Sequence, residues 1–172
     1  VHFGSEEHWI IDAADLALFP SLTLGSGSFG AVLKGAYLGA EVAIKVSFRA
    51  ERKKADRLRL SSLCNELRVL RRIRHPHIVM FYGACVLSQS AEVLLVEELL
   101  EGRPLAEVVK APTGCMAAAT QKKILLGICN ALCYLHSQEP VIVHGDLSPN
   151  NVLIEIGSFQ PKLIDFGLSR VL

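Results

Sequence analysis

The sequence predicts an α+β fold in which a strand-rich first part is followed by a more helical second part. In the first part, glycines separate short apolar runs, and EVAIKVSF alternates between two kinds of residue. Such alternation is typical of a strand with one buried face. A charged segment follows, in which apolar residues recur every three or four positions, as in an amphipathic helix. The second part contains a long segment, about 117–137, that we interpret as a helix.

Length and composition allow a packed core and disfavour some classes of partner. The chain has 172 residues, 51% of them hydrophobic, which is enough for one domain or two small lobes. A formal net charge of +1 gives no reason to expect a nucleic-acid partner. No signal peptide or membrane-spanning apolar run is visible, so we expect a cytoplasmic protein or the cytoplasmic domain of a larger one. Because the first residue is Val1, we expect a fragment or a processed product.

The predicted strands of the first part surround a glycine-rich loop. Ser21 to Leu24 leads into GSGSFG, Ala31 to Lys34 follows it, and a turn is expected near Leu38 and Gly39. In the next strand, four apolar side chains share one face and three other side chains share the opposite face. The first set is Val42, Ile44, Val46 and Phe48, and the second set is Ala43, Lys45 and Ser47.

The next element is a helix, predicted over roughly Asp56 to Ile73 and ended by His75-Pro76. Its apolar positions are Leu60, Leu63, Leu67, Leu70 and Ile73. Basic residues are dense along 49–74, but acidic residues interrupt them, so we interpret this run mainly as the solvated face of the helix. The alternative is a docking surface, around residues 52–74, for an acidic or phosphorylated regulatory partner.

The character of the chain changes after two further apolar runs, IVMFYGACV and EVLLVEEL, which predict a pair of strands. We place the joint between two lobes at about residues 97–102. A short helix near residues 105–110 precedes the long one, and VIV, VLIEI and PKLIDFG predict short strands separated by loops. The expected organisation is a lead-in over residues 1–20, a first lobe over 21–97 and a second lobe over 98–172.

The cysteines show no C-x-x-C pair and no regular spacing. They are Cys64, Cys85, Cys115, Cys129 and Cys133. Their apolar neighbours predict free thiols, buried in the core of a protein from a reducing compartment. Cys129 and Cys133 lie four residues apart on the predicted long helix, but two thiolates without a further ligand make a poor zinc site.

A G-x-G-x-x-G motif at Gly25, Gly27 and Gly30 has two interpretations. It is a dinucleotide fingerprint only if a helix begins at the glycines, and here a strand is expected instead. A glycine-rich hairpin lets backbone amides approach a triphosphate without intervening side chains. A strand antiparallel to it would carry Lys45 beneath the phosphates, with Glu66 as its partner. The alternatives are an exposed strand lysine and a glutamate paired along its own helix.

Three polar residues of the second part also allow two interpretations each. Asp146, in VHGDLSPNN, is either a catalytic base or a member of a polar turn, since such residues are common in turns. Asp165, in KLIDFGLS, ends an apolar strand and either caps a turn or holds a divalent cation. Asn151 offers a neutral oxygen to the same metal. These residues are less easily explained by chance as an ordered set in these sequence contexts than any one of them is alone.

Taken together, these motifs resemble the signature set of the protein kinase superfamily, in order and approximate spacing. The matching segments are Gly25 to Val32, VAIK at Val42 to Lys45, Glu66, HGDLSPNN, and DFG at Asp165 to Gly167. More narrowly, WIIDAADL, GAYLGAEVAIK and HPHIVMFYGAC resemble the tyrosine-kinase-like group, which includes the Raf and plant receptor-like kinases. The resemblance implies a protein-kinase-like fold: a complete strand-rich N-lobe with one regulatory helix, then the first part of a helical C-lobe.

The resemblance also implies sites for ATP and Mg²⁺. Lys45 would contact the α- and β-phosphates, with Glu66 orienting it. Asn151 and Asp165 would hold Mg²⁺, and Asp146 would accept or orient the proton of the substrate hydroxyl. The implied ATP-binding residues are Gly25, Ser26, Gly27, Ser28, Phe29, Gly30, Val32, Ala43, Lys45, Val96, Glu97, Leu99 and Leu153, with Val32 and Ala43 around the adenine, Val96 as gatekeeper, and the backbone of Glu97 and Leu99 at the adenine edge. Leu70, Phe81, His144 and Phe166 match a hydrophobic spine.

The implied activity is transfer of the γ-phosphate of ATP to protein hydroxyls, of serine and threonine or else of tyrosine, in intracellular signalling. Two departures stand out: Gly145 where many kinases have arginine, and Ser148 where serine/threonine kinases have lysine. The first predicts activity that does not depend on a phosphorylated activation loop, and the second predicts reduced turnover or altered specificity. The chain stops at Leu172, so we expect an incomplete kinase domain. The alternative is a pseudokinase or scaffold that binds ATP or partners without phosphotransfer.

Overall fold

The computed structural model describes residues 9–27, 30–46, 54–87, 92–110 and 116–172, which form two compact units. The first unit contains the described residues up to Arg72 together with Met80–Leu99. The second contains Ile73–Val79 and the described part of Leu100–Leu172. None of the helices in the described residues is long and apolar enough to cross a membrane.

A five-stranded antiparallel sheet forms most of the first unit, as the strand-rich prediction requires. Its strands are β1 (Leu16–Gly27), β2 (Gly30–Tyr37), β3 (Ala40–Val46), β4 (Phe81–Leu87) and β5 (Glu92–Glu98), in the spatial order β1-β2-β3-β5-β4. The predicted turn between β2 and β3 contains Leu38 and Gly39, both with positive φ. Side chains from one face of the sheet build the core. These are Ala31, Leu33, Val42, Ile44, Val46, Cys85, Leu94 and Val96, joined by Ile11.

Helix α1 (Lys54–Leu70) is the only helix of four residues or more in the described part of the first unit. It ends three residues before the predicted boundary. The amide of Arg72 donates to the carbonyl of Val69 at 3.0 Å, so the last turn is tightened and the helix cannot continue. Leu63, Glu66 and Leu70 are buried at helical spacing on one side.

The segment before β1 is attached to the edge of the sheet at β4. Ile10 bridges to Ala84 in parallel, and the Ile11 amide donates to the Ala84 carbonyl at 2.9 Å. The Ile11 side chain is buried and belongs to the core of the first unit. Residues 9–11 therefore close one edge of the sheet and fill part of its core.

The described part of the second unit combines two helices with short strands. The helices are α2 (Leu105–Lys110) and α3 (Ala118–His136), close to their predicted bounds. One sheet has the order β6-β8-β9, with β6 (Gly102–Pro104), β8 (Val152–Glu155) and β9 (Pro161–Leu163). The other pairs β7 (Ile142–Val143) with β10 (Arg170–Val171). The buried residues of α3 are Ile124, Gly127, Ala131 and Leu135.

The prediction of core cysteines is wrong for three of the four described thiols. Cys85 is buried, but Cys64, Cys129 and Cys133 are exposed, and Cys115 lies outside the described residues. In α3, apolar residues occur around most of the helix circumference, so an apolar neighbour in sequence does not imply burial. Leu125 on the same helix is 62% exposed.

Candidate active site

Lys45 and Glu66 form a buried ion pair in the first unit. The Lys45 Nζ atom lies 2.5 Å from Glu66 Oε2, and the two residues are 9% and 0% exposed. Strand alternation turns Lys45 away from the core side chains Ile44 and Val46, whereas helical spacing turns Glu66 inward with Leu70. The predicted pairing of Lys45 with Glu66 is therefore present in the structure. Because each charge is removed from water, each depends on the other for compensation.

The glycine-rich segment is a hairpin that joins β1 and β2. Gly27 lies opposite Gly30, and Gly25 lies opposite Val32. A strand follows the glycines, so the helix required by a dinucleotide fingerprint is not formed. A Cβ atom added at Gly25 would lie more than 4 Å from any described neighbour, so protein packing does not require a glycine here. Ser28 and Phe29 lie outside the described residues, as do the side-chain positions of residues 26, 27 and 30.

The two faces of the sheet separate the residues predicted to contact adenine. Val32 lies opposite Lys45, so these two side chains share a face, and Ala43 shares that face at two residues' distance. Val96 lies opposite Ile44 and belongs to the core on the other face. The gatekeeper role of Val96 stays a prediction. Glu97, directly opposite Ala43, occupies the Lys45 face instead.

The register of β5 with β3 places the side chains of Glu97 and Leu95 on one face of the sheet and that of Val96 on the other. Leu99 follows β5 and is half-buried, and Leu153 is half-buried on β8 in the second unit.

The loop after β7 holds Asp146 by hydrogen bonds from Asn151. The Asn151 Nδ2 atom donates to the backbone carbonyl and to Oδ2 of Asp146, both at 2.8 Å. The Asn151 amide also donates to the carbonyl of Ser148 at 3.0 Å, which closes the loop. Because both side-chain bonds use the nitrogen, the amide oxygen of Asn151 is directed away from Asp146. The two predicted residues are therefore brought together, and one carboxylate oxygen of Asp146 has a fixed position.

Asp165 is connected to this loop through the backbone. The amide of Ile164 donates to the carbonyl of Asn151 at 3.0 Å, so the residue before Asp165 is bonded to Asn151. Asp165 has a φ of 64°, and its Oδ1 accepts from the amide of Gly167 at 3.3 Å. A left-handed conformation is costly for a residue with a side chain and is found preferentially at functional sites.

His144 connects the Asp146 loop to the segment before Asp165 through two hydrogen bonds. Its Nε2 donates to the Ile164 carbonyl at 3.1 Å, and its Nδ1 accepts from the Asp146 amide at 3.4 Å. These partners assign the neutral tautomer with hydrogen on Nε2, because a carbonyl cannot donate and an amide cannot accept. Burial lowers the pKa of His144, although the carbonyl and the carboxylates of Asp165 and Asp146 act in the opposite direction. The structure therefore favours the neutral ring.

Gly145 allows the backbone of its loop to approach Leu168 closely, which its position in the motif did not indicate. Its φ is +81°, and a Cβ atom there would lie 2.2 Å from the carbonyl oxygen of Leu168. No side chain fits without moving the backbone of either segment. The residue that departs from the arginine of many kinases is thus required by the local geometry of this chain.

The residues matched to a hydrophobic spine are buried in both units. Leu70 and Phe81 are 0% and 2% exposed in the first unit. In the second unit, the rings of His144 and Phe166 have centroids 4.7 Å apart.

The donor set in the second unit fits a magnesium ion. Mg²⁺ in phosphate-transfer sites is usually held by one or two carboxylates, with phosphate and water oxygens completing the shell. Asp165 offers a carboxylate and Asn151 an amide oxygen. Among the described residues, no group of three or more His, Cys, Asp or Glu side chains is arranged to hold a metal by itself. Asp165 and Asn151 would thus leave room for oxygens of a substrate around such an ion.

Comparison with known proteins assigns the chain to a family. The model of the protein kinase domain matches residues 21–172. Serine/threonine-protein kinase VIK of Arabidopsis thaliana is 34% identical over 95% of this chain and 36% of its own length. Dual specificity protein kinase shkA of Dictyostelium discoideum is 33% identical over 86% of this chain and 27% of its own length. U-box domain-containing protein 70 of Oryza sativa subsp. japonica is 37% identical over 99% of this chain and 20% of its own length.

The chain spans between 20% and 36% of the length of these three relatives. Two of them are named as kinases, and the third is named for a different domain. The family model nevertheless covers the sheet from residue 21 onward, helix α1, the Lys45–Glu66 pair and the loops that carry Asp146, Asn151 and Asp165. The chain therefore belongs to the protein kinase domain family.

Proposed function

We propose that the protein transfers the γ-phosphate of ATP to hydroxyl groups of proteins. One observation carries this proposal: Asn151 holds Asp146 by two hydrogen bonds while its backbone accepts from the residue before Asp165. Phosphoryl transfer depends mainly on positioning and on charge neutralisation, and only to a small extent on covalent chemistry by the protein. A fixed carboxylate next to two oxygen donors for a cation is what that reaction needs.

The first unit supplies groups for the nucleotide. The glycine hairpin offers backbone amides, with open space at Gly25. Lys45 offers a positive charge that the buried Glu66 carboxylate keeps in place. Val32 and Ala43, on the same sheet face as Lys45, offer the apolar surface for the adenine ring. This half of the site is proposed to bind and orient ATP.

The second unit supplies groups for the metal and for the hydroxyl. Asp165 and Asn151 would hold Mg²⁺, which neutralises charge on the phosphates when bound. Asp146 is half-buried, and its Oδ2 is fixed by Asn151. We propose that Asp146 orients the attacking hydroxyl and accepts its proton. Ser148 lies two residues further, where serine/threonine kinases have a lysine, so less positive charge faces the transferred group and slower turnover is expected.

Serine and threonine are the proposed acceptors, and the protein is proposed to act in the cytoplasm as a signalling kinase of the tyrosine-kinase-like group. The names of the relatives include both a serine/threonine kinase and a dual-specificity kinase, so tyrosine is the second candidate. The basic residues around 52–74 remain a proposed surface for a regulatory partner. Within that run Arg72 and Arg74 are exposed.

Magnesium-dependent ATP binding followed by phosphotransfer tests the proposal. Asp165→Ala is expected to remove the magnesium dependence of ATP affinity. Asp146→Asn is expected to keep ATP binding and to lower transfer to a protein acceptor at least about a hundredfold, the usual contribution of a positioned base. Asp15→Asn, at an exposed position before β1, is the matched control and should change neither quantity. Transfer should survive phosphatase treatment, because Gly145 cannot serve as an arginine partner for a phosphorylated loop.

A second function is favoured by Gly145 and Ser148: ATP binding by a scaffold without transfer. It is distinguished by the same experiment. ATP bound with the expected magnesium dependence, but with no transfer above the Asp146→Asn background, would replace the kinase proposal with the scaffold.

A further inference from the structure

Residues 9–11, which we call the strap, add a short extended segment to the outer edge of β4. Ile10 forms an isolated parallel bridge with Ala84. The Ala84 amide donates to the Trp9 carbonyl at 2.8 Å, and the Ile11 amide donates to the Ala84 carbonyl at 2.9 Å. Both hydrogen bonds therefore go to one residue of β4. An attachment of this kind can open locally while the sheet itself stays folded.

Gly83 makes room for the strap on β4. A Cβ atom at Gly83 would lie 2.6 Å from the Trp9 carbonyl oxygen and 2.7 Å from Ile11 Cγ1. The φ of Gly83 lies outside the left-handed region, so the local backbone conformation does not require a glycine there. The close approach of the strap accounts for this glycine, and β4 is shaped to receive the strap.

The Ile11 side chain completes the core behind the strand that carries Lys45. It is 4% exposed and belongs to one buried cluster with Cys85, Ile44 and Val96. Ile44 directly precedes Lys45 in β3 and lies opposite Val96 of β5. Withdrawal of Ile11 would leave a void in this cluster, because protein cores are close-packed. The packing that fixes the backbone of β3 next to Lys45 would then be weaker.

Cys85 reports on whether the strap is in place. Its side chain lies on the core face of β4, two residues from Gly83, and is 1% exposed. Burial raises the pKa of the Cys85 thiol, and the charge of Asp12, the residue after the strap, raises it further. Asp12 is held at the start of a short helical turn, where its Oδ1 accepts from the Ala14 amide at 3.0 Å. Lifting of the strap upstream of Asp12 would uncover this thiol.

We propose that the strap is a detachable regulatory element of the nucleotide site. Attached to β4, it holds β3 in the arrangement that binds ATP, and its release lowers the affinity for ATP. This inference rests on the proposed function, in which Lys45 contacts the phosphates. A protein that binds residues 9–11 in extended form competes with β4 for the same backbone groups and thereby inhibits the site. The coupling is reciprocal, so bound ATP holds the strap in place by the same factor.

Alkylation of Cys85, followed by mass spectrometry of its peptide, tests detachment in the wild type. We expect a labelling rate that depends weakly on urea, since local opening exposes little surface, whereas global unfolding followed by circular dichroism depends on it steeply. Saturating MgATP should slow this labelling at least about fivefold, a typical size for coupling between two sites. Labelling only with the steep urea dependence of global unfolding would overturn the proposal.

Two variants separate attachment of the strap from folding in general. Gly83→Ala keeps the sequence of the strap but fills its space on β4, and Ile11→Ala removes its buried side chain. Both should speed the labelling of Cys85 about tenfold or more and weaken MgATP binding at least about fivefold. Ile10→Ala, the same change at a half-buried neighbour, is the matched control and should change both quantities far less.

The outcomes distinguish this proposal from the proposed function. Faster labelling of Cys85 in Gly83→Ala and Ile11→Ala with unchanged MgATP affinity would overturn the regulatory role of the strap and leave the proposed function standing. Failure of the wild type to bind MgATP would overturn the proposed function and, with it, this regulatory role, whatever the labelling shows.

Discussion

The two units hold their polar groups in different ways. In the first, Lys45 and Glu66 come from a strand and a helix and form one buried ion pair. In the second, the groups lie in loops and are positioned by backbone amides, an asparagine amide and a neutral histidine. The first arrangement depends on charge compensation away from water, and the second depends on backbone geometry. We therefore expect different substitutions and conditions to destabilise the two arrangements.

The largest effect is expected from removing one charge of the buried pair. Lys45→Met leaves the Glu66 carboxylate, which is 0% exposed, without its cation. Breaking a buried pair in this way costs about 3 to 5 kcal/mol, since the remaining charge stays desolvated. Urea unfolding of the variant and the wild type measures the loss of unfolding free energy.

The matched double variant shows whether charge is the cause. Lys45→Met combined with Glu66→Leu replaces both charges with apolar groups of similar size, and such replacements are often neutral. Most of the lost stability should return. A double variant as unstable as the single one would mean that packing around β3 and α1, and not charge compensation, holds these residues.

An effect of about 2 kcal/mol is expected from a single methyl group at Gly145 in the second unit. Gly145 and Gly157 both have φ near +80°, so alanine is strained at either position. Only at Gly145 would the new Cβ atom meet the protein, 2.2 Å from the Leu168 carbonyl oxygen. Gly145→Ala should therefore cost about 2 kcal/mol and Gly157→Ala about 1 kcal/mol.

The difference in unfolding free energy between Gly145→Ala and Gly157→Ala measures the effect of the close approach between Gly145 and Leu168. Hydrogen exchange of the amides in the 144–151 loop provides a second measurement and should be faster in Gly145→Ala only. Equal losses of unfolding free energy in the two variants would show that the backbone at Leu168 moves readily to make room, and that the loop is not fixed by backbone geometry.

In the first unit, the sequence indicated which way side chains point wherever apolar residues recurred at strand or helix spacing. Alternation in EVAIKV placed Lys45 opposite the core, and helical spacing placed Glu66 on the inner side of α1. In β5 the residues Leu94, Leu95 and Val96 are all buried, so the period of two does not appear in the sequence. The faces of Val96 and Glu97 are set by register with β3, which depends on residues distant in sequence.

In the second unit, the residue types were predictable but the restraints on them were not. Asp146, Asn151 and Asp165 were selected by motif. The motif did not indicate the left-handed φ of Asp165. The lack of space at Gly145 has no local sequence signal, because it arises from the approach of Leu168. Only the folded backbone shows why a glycine occupies position 145.

The smallest effect on stability is expected from protonation of His144. It tests the difference between the two units because His144 lies in the second one. Burial lowers the pKa of His144 below its value in the unfolded chain, about 6.5. Above that value the ring is neutral in both states and its contribution to stability is fully present. As pH falls below about 6.5, the unfolded chain binds the proton first, so stability decreases until the folded-state pKa is passed. Thermal unfolding measured from pH 7.5 to 5.0 follows this loss.

Protonation would also place hydrogen on Nδ1, where His144 now accepts from the Asp146 amide, so the loop should loosen in the same pH range. The single proton of His144 limits its share of the slope to about 1.4 kcal/mol per pH unit, and the loss ends at the folded-state pKa, so we expect the smallest of the three effects. His144→Phe keeps an aromatic ring against Phe166 and should reduce the slope to the part that comes from His75, whose pKa is also lowered by burial, while lowering stability at pH 7.5. His136→Gln, at the exposed end of α3, is the control and should retain the wild-type slope. If His144→Phe kept the full pH dependence, the neutral histidine would not be the group that links the two segments, and the loop would have to be held by Asn151 and the backbone alone.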